Sequence, residues 1–385
     1  MRKHKNLILF ILIVFFWSCF VSMIKFFLRS YLKQVNVSLE EIMWYMSLGC
    51  MASYFVAWSL AVLFRKKNLL IIATLISIVC VGIWHLFWFI PFPLFIILMC
   101  GIGLMYGMWT VIKSIILTIE IQRSEFSETS VNGTVNIAIL GWTILWSYLW
   151  FGAYAWRWPT GFWALICMLW IALLAGCFLD YDQDFKRKHD RTIVRQAIPS
   201  IIGVIKKYIW LLIPIGVLRA VSVGVGQKML ELGIDVFNKV PKSSIIIIII
   251  SIVWAIVGHV ISAFFKKGKR YLSMIFTILL GLSTFYFPYI INKYDYYITL
   301  NISSFLMGIF FGIAVNLLEW RFFYHIWEDH RKEYWSAAYG IATNIVIFLI
   351  MIISDVLTNK VGMIVPFIFF GITLLIMPLF IRRFR

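Results

Sequence analysis

Twelve apolar stretches of membrane-spanning length follow one another along this chain, and the basic residues between them are concentrated in every second gap. A bilayer core takes about 20 apolar residues per helix, and a spanning backbone must satisfy its own polar groups. With hydrophobic residues at 62% of 385 positions, the chain is predicted to be an all-α membrane protein with twelve transmembrane helices. The predicted spans cover residues 6–29, 39–64, 69–89, 92–119, 131–155, 160–180, 207–230, 244–265, 271–292, 296–324, 334–358 and 361–381.

The distribution of charge predicts the orientation. If the N-terminus is cytoplasmic, the cytoplasmic gaps and both tails carry 23 Lys/Arg, the opposite side carries 7, and five lie inside the spans. This bias follows the positive-inside rule and predicts that both termini are cytoplasmic. The net charge of +18 therefore indicates contact with anionic membrane lipids rather than with nucleic acid. We expect a multi-pass protein of a bacterial-type inner membrane.

A weak internal repeat divides the chain into halves. The longest polar interruption, 181–206, is charged and then amphipathic over 193–205, which fits a basic cytoplasmic linker or a surface-lying helix. It separates a predicted N-terminal six-helix bundle, 1–180, from a C-terminal one, 207–385. Basic clusters follow the second and eighth spans, at 65–67 and 266–270. Because each half has an even number of spans, the two repeats are predicted to be parallel.

Paired glycines recur at corresponding places in the two halves. Gly103 and Gly107 lie in the fourth span, and Gly308 and Gly312 lie in the tenth. Small residues four apart allow close packing of membrane helices. Helix packing and a gating role during conformational change both remain open for these four positions.

Two short segments and the topology resemble the major facilitator superfamily. Trp156-Arg157-Trp158 enters the sixth span, and His330-Arg331-Lys332-Glu333 precedes the eleventh. The basic segment 65–67 lacks the Asp and Gly usual in that family's loop between the second and third helices, so the chain resembles a divergent member. The resemblance implies a transporter rather than an enzyme, with two six-helix halves that rock about a central cavity.

Ionisable residues inside the spans are candidate sites, because a charge at membrane depth is costly unless it is paired or hydrated. Arg219 lies near the middle of the seventh span and is the first candidate for substrate binding. A guanidinium favours a carboxylate or phosphate partner. A structural pair between Arg219 and Glu319 is the alternative.

The fourth and tenth spans carry the other central charges. Lys113 follows Trp109, and both are candidate substrate contacts; Glu319 and Arg321 lie in the tenth span. Three interpretations remain open: a Lys113–Glu319 pair bridging the halves, a Glu319–Arg321 pair, and Glu319 as a proton carrier.

Three further residues complete the candidate set. Lys25 and Lys228, near the outer ends of the first and seventh spans, could snorkel to the interface, and Lys25 could also contact substrate at an outward mouth. Glu231 and Asp235 are expected to cap or neutralise Lys228. His259 is interpreted either as a packed histidine or as part of a proton relay.

The sequence contains no phosphate-binding loop and no motif for a metal or a nucleophile, so no ATP, cofactor or metal is predicted. The spans hold five Lys/Arg, whereas Glu319 is the clearest acid inside them, and this excess of positive charge favours an anionic substrate. We therefore predict a monomeric secondary active transporter of an organic anion: a carboxylate, a phosphate ester or a carboxylate-type siderophore. A coupling proton or ion is expected. The alternatives are a proton-driven exporter that couples through Glu319, and a lipid-linked flippase or envelope-assembly protein.

Overall fold

The computed structural model describes residues 5–18, 20, 49, 53, 66–86, 92–123, 135, 158–179, 191–235, 241–265, 269–327 and 332–383. These residues form helices and short connections, with no strand among them. The helices are α1 (Lys5–Ser18), α2 (Lys66–Leu86), α3 (Phe92–Arg123), α4 (Trp158–Cys177), α5 (Arg191–Asp235), α6 (Pro241–Ala263), α7 (Lys269–Lys293), α8 (Tyr296–Trp327), α9 (Lys332–Val361) and α10 (Val365–Arg383).

Seven of the described helices are long and apolar enough to cross a membrane: α2, α3, α5 and α7–α10. α1, α4 and α6 contain shorter apolar segments. The predicted spans 39–64 and 131–155 lie almost wholly outside the described residues. The prediction of an all-helical membrane protein is confirmed, whereas the number twelve and the side of each terminus stay predictions.

α6 shows how the membrane environment decides the secondary structure. Its first half holds six consecutive isoleucines, 245–250, and such β-branched runs favour strands in water. In lipid a single strand would leave its backbone donors and acceptors unpaired, while a helix satisfies them within the segment.

α5 corrects one predicted boundary. The segment 181–206 is predicted as a linker or a surface-lying helix, and in the structure its second part belongs to one helix of 45 residues from Arg191 to Asp235. The amphipathic stretch 193–205 runs directly into apolar residues, and Gly203 alone does not end a helix.

The described residues divide into two compact units. One contains α1–α4, α5 up to Val204, and residues 332–341 of α9; the other contains α5 from Ile205, α6–α8, the rest of α9, and α10. In the first unit α2 packs against both α3 and α4. In the second unit α8 packs against α6 and α7, and α7 packs against α10.

Contacts in the second unit give the direction of each helix pair. Along α5 and α9, Gly216 faces Val346 and Gly224 faces Met351. Because these contacts advance in the same chain direction on both helices, the two helices run parallel. Phe287 of α7 meets Phe367 of α10, while Gly281 lies against Leu374, so this pair is antiparallel. The same directions follow from the predicted alternation of spans.

Candidate substrate and coupling site

An ion pair between α5 and α8 forms the centre of the candidate site. The Nε of Arg219 donates to Oε1 of Glu319 at 2.7 Å, and Nη2 of Arg219 donates to the same oxygen. The Glu319 side chain is 1% exposed, whereas that of Arg219 is 34% exposed. The Arg219 guanidinium is therefore accessible at the surface of the unit, whereas the Glu319 carboxylate is buried beneath it.

A buried polar ladder continues from Glu319 along the contact between α8 and α6. Asn316 lies one turn before Glu319, on the same face of α8, and its Nδ2 donates to Ser262 Oγ at 2.6 Å. Ser262 Oγ in turn donates to the carbonyl oxygen of His259 at 2.7 Å. His259 is 2% exposed, and its Nδ1 has no hydrogen-bond partner among the described residues. Unlike Asn316 and Ser262, His259 and Glu319 were already candidates from the sequence.

Glycines bring α6 and α8 close enough for this ladder. A β-carbon on Gly312 would overlap the carbonyl oxygen of Ala255, and one on Gly258 would overlap the carbonyl oxygen of Ile309. The structure thus gives Gly312 a packing role, and Gly258 is its counterpart on α6. Gly308, one turn before Gly312, is buried.

A second ion pair ties α5 to α9. The Nζ of Lys228 lies 3.0 Å from Oδ1 of Asp355, with the Lys228 side chain 4% exposed. This corrects the prediction that Lys228 snorkels to the interface. Asp355 of α9 is thus an ion-pair partner of Lys228. The side chains of Glu231 and Asp235, which were expected to cap or neutralise Lys228, lie outside the described ones. Sequence reasoning missed Asp355, whose signal is a carboxylate within an otherwise apolar run.

In the first unit, Lys113 and Trp109 belong to an aromatic cluster. The ring of Trp109 stacks on Trp17 at 5.3 Å and on Tyr106 at 6.3 Å between centroids. The Nζ of Lys113 lies 5.0 Å from the centroid of Trp109, within the range of a cation–π contact. Trp17 Nε1 donates to Thr74 Oγ1 at 3.1 Å, which joins α1 to α2. Trp17 and Thr74 were not among the predicted site residues.

The remaining predicted residues are distributed as follows. Glu319 forms an ion pair with Arg219 of its own unit. This is the structural pair that the sequence offered as the alternative to substrate binding at Arg219. Glu319 and Arg321 lie two positions apart on α8, and residues so spaced do not face each other. Gly103 and Gly107 are buried in α3. Lys25 lies outside the described residues.

No group of three or more metal-ligating side chains occurs in the part of the chain that the structure describes. The site is built instead from charge pairs, amides and hydroxyls. Such a set can bind a charged solute and can exchange a proton at Glu319 or His259.

Comparison with known proteins identifies the fold. No family model and no curated protein matches the sequence. Among solved structures, the chain is similar to the human organic anion transporter MFSD10 (TETRAN), at 9% identity and a TM-score of 0.74 over 99% of this chain and 100% of that one. It is also similar to the E. coli fucose:proton symporter FucP, at 10% identity and a TM-score of 0.73 over the whole of both chains. The proton:xylose symporter XylE matches at 14% identity and a TM-score of 0.70, over 99% of this chain and 95% of that one.

These likenesses define the class: the chain has the fold of the major facilitator superfamily, as its sequence resemblance predicted. Together with the seven apolar helices, they make it an integral, multi-pass membrane protein.

Proposed function

We propose that this protein is a secondary active transporter that moves a small organic anion across a bacterial inner membrane by alternating access. The observation that carries the proposal is the Arg219–Glu319 pair in a bundle of the major facilitator fold. Three chemical classes of substrate fit a guanidinium: carboxylates, phosphate esters and carboxylate-type iron chelates.

The exposure of the pair supports substrate binding at Arg219. The guanidinium is the accessible member, so an incoming anion meets Arg219 before it meets Glu319. A charge-assisted hydrogen bond contributes about 1.5–3 kcal/mol. A substrate carboxylate that offers two oxygens can replace the single Glu319 oxygen on which both donors of Arg219 now converge.

The burial of Glu319 supports coupling to protons. When an anion takes Arg219, the buried Glu319 carboxylate loses its ion pair with Arg219 in a region of low dielectric constant. Such a group lowers its free energy by taking up a proton. Anion entry and proton uptake are thereby linked at one pair of side chains, and two of the similar structures, FucP and XylE, are named as proton symporters.

Binding of defined probes to the purified protein tests the role of Arg219. Citrate, ferric citrate and glycerol 3-phosphate represent the three anion classes, with L-fucose and D-xylose as neutral controls. We expect at least one anion to raise the unfolding temperature of the wild type, and Arg219→Gln to weaken its binding by about ten- to a hundredfold. Lys293→Gln, which removes an exposed charge at the end of α7, is the matched control and keeps wild-type affinity. Equal anion affinity in wild type and Arg219→Gln would remove Arg219 from the site.

Transport in proteoliposomes tests the role of Glu319. We expect Glu319→Gln to abolish accumulation of the bound anion driven by a pH gradient, because an amide does not exchange a proton at neutral pH. Exchange of labelled for unlabelled anion should persist, since it requires no net proton movement. Loss of both activities would show that Glu319 is needed for folding or binding. Proton-driven efflux of apolar cations by the wild type would favour the exporter alternative.

A further inference from the structure

α5 exposes one narrow row of residues around Arg219. Of the residues from 214 to 229 whose burial the structure describes, four are not buried: Arg219, Ser222, Val223 and Gly226. Their spacing of i, i+3, i+4 and i+7 places them on one side of the helix. We call this row the α5 strip. It extends from the accessible guanidinium toward the C-terminal end of α5.

The packing of α5 shows that the strip borders an aqueous space. Gly216 lies against Val346 of α9, and Gly224 lies against Phe370 of α10, so these sides of α5 are covered. The Arg219 side chain, in contrast, is 34% exposed. A guanidinium that faced the acyl chains at this depth would be costly. The side of α5 that carries the strip therefore faces water rather than lipid.

The chemistry of the strip changes along its length. Arg219 offers a cation, Ser222 offers a hydroxyl group one turn further on, and Val223 offers an apolar side chain that is 49% exposed. At the far end, a β-carbon on Gly226 would meet no atom within 4 Å, so there is open space. With a rise of about 1.5 Å per residue, the strip is about 10 Å long. A ligand with its carboxylate on Arg219 would place a hydroxyl group at Ser222 and an apolar chain over Val223 and Gly226.

The charge around the strip favours a ligand with one negative charge. The strip contains one charged side chain, that of Arg219. The Glu319 carboxylate lies against this guanidinium, and it would repel any further negative charge on the ligand. Phosphate esters carry nearly two negative charges at neutral pH, and carboxylate-type iron chelates contain several carboxylates. Of the three anion classes that fit Arg219, a carboxylate with a single charge fits the strip best.

We propose that the α5 strip selects hydroxylated monocarboxylates, with Ser222 binding the hydroxyl group and Gly226 leaving room for the apolar end of the chain. The inference rests on the proposed function, because Arg219 must hold the carboxylate of the substrate. It adds three specificity-determining residues, Ser222, Val223 and Gly226, that were not among the predicted site residues.

The test measures binding of lactate, hexanoate, 3-hydroxyhexanoate and citrate to the purified protein in detergent micelles. We expect the wild type to bind 3-hydroxyhexanoate most tightly. Ser222→Ala should lower the affinity for 3-hydroxyhexanoate about fivefold, the effect of one hydrogen bond, and leave that for hexanoate within about twofold. Gly226→Leu should lower the affinity for both six-carbon acids about tenfold, because its side chain fills the open space. Lactate is too short to reach residue 226 and should bind Gly226→Leu as it binds the wild type.

Matched controls make the same substitutions away from the strip. Gly203→Leu changes another glycine of α5 whose β-carbon would meet nothing within 4 Å. Ser283→Ala removes a hydroxyl group of α7 that donates to the carbonyl oxygen of Leu279. Both controls should bind all four acids as the wild type does. If Gly226→Leu is unfolded without ligand, Gly226→Val replaces it in the same comparison.

The results separate this inference from the proposed function. Arg219→Gln should lose affinity for every acid that the wild type binds. If it does so while Ser222→Ala and Gly226→Leu keep wild-type affinity for all four, the transport proposal stands and the role of the strip is overturned. Tighter binding of citrate than of 3-hydroxyhexanoate by the wild type would overturn the preference for a single charge. Unchanged affinities in Arg219→Gln would overturn both proposals.

Discussion

Charged residues at membrane depth were the clearest residue-scale signal in the sequence, and their partners were the hardest part to predict. Arg219 and Glu319 lie 100 positions apart, so their pairing depends on how α5 meets α8. Lys228 shows the same limit, because it pairs with a carboxylate of α9, which lies 127 positions further along the chain. From the sequence, the expected ion-pair partner of a cation is a nearby residue of the same helix. In the folded protein, the partner is whichever carboxylate the helix packing brings close to it.

The two members of the Lys228–Asp355 pair should respond unequally to mutation. Asp355→Asn leaves a lysine whose side chain is 4% exposed, whereas Lys228→Met leaves an aspartate that is 28% exposed. We expect Asp355→Asn to cost about 3–5 kcal/mol of stability, the range for breaking a buried ion pair, and Lys228→Met to cost less.

The double variant Lys228→Met/Asp355→Asn removes both charges and should recover most of the stability of the wild type. Equilibrium unfolding in detergent micelles measures all four proteins of this cycle. Additive losses in the double variant would mean that the two residues do not act as a pair.

At the scale of elements, the closest helix contacts occur at glycines, which have no side chain to keep the helices apart. Membrane helices gain little hydrophobic energy from meeting each other, so van der Waals packing between small residues holds them together. Gly258 and Gly312 provide this contact between α6 and α8. The spacing of Gly308 and Gly312 in the sequence predicted a packed face, whereas no second glycine lies four residues from Gly258 to indicate its role.

Gly312→Ala should separate α6 from α8. Its β-carbon would overlap the Ala255 carbonyl oxygen, which is backbone and cannot turn aside. We expect a loss of about 1–3 kcal/mol, typical of overpacking, and weaker anion binding, because Asn316 and Glu319 lie on the next turns of α8.

Gly226→Ala on α5 is the control for Gly312→Ala, since a β-carbon there meets nothing within 4 Å. It should equal or exceed the wild type in stability, because alanine favours a helix over glycine. The same equilibrium unfolding assay compares the two. Equal stability of both variants would argue against a tight α6–α8 contact.

At the scale of the whole molecule, the charge bias and the fold both indicate a multi-pass membrane protein. The structural neighbours span the complete chain, while 23 of 35 Lys/Arg fall on the predicted cytoplasmic side. The positive-inside rule concerns insertion rather than packing. The orientation is therefore a prediction that the fold alone does not supply.

Reporter fusions test the predicted orientation. A green fluorescent protein joined after Arg385 should fluoresce, and alkaline phosphatase at the same point should be inactive, because both report a cytoplasmic C-terminus. A phosphatase fusion in the gap near residue 240 should be active, since that gap is predicted to face outward. An active phosphatase at the C-terminus would contradict the predicted cytoplasmic location of that end.

The sequence by itself determined that this protein lies in lipid rather than in water, and hence that its spanning segments are helical. Runs such as 245–250 must be helical in lipid, because a spanning segment must pair its own backbone groups. It also singled out Arg219 and Glu319, because each charge carries a desolvation cost that its apolar neighbours cannot offset. Only the tertiary structure decided which charges meet and that the Asn316–Ser262–His259 ladder forms. Those contacts join residues as far apart in sequence as Lys228 and Asp355, and such pairings are set by helix packing rather than by any local pattern.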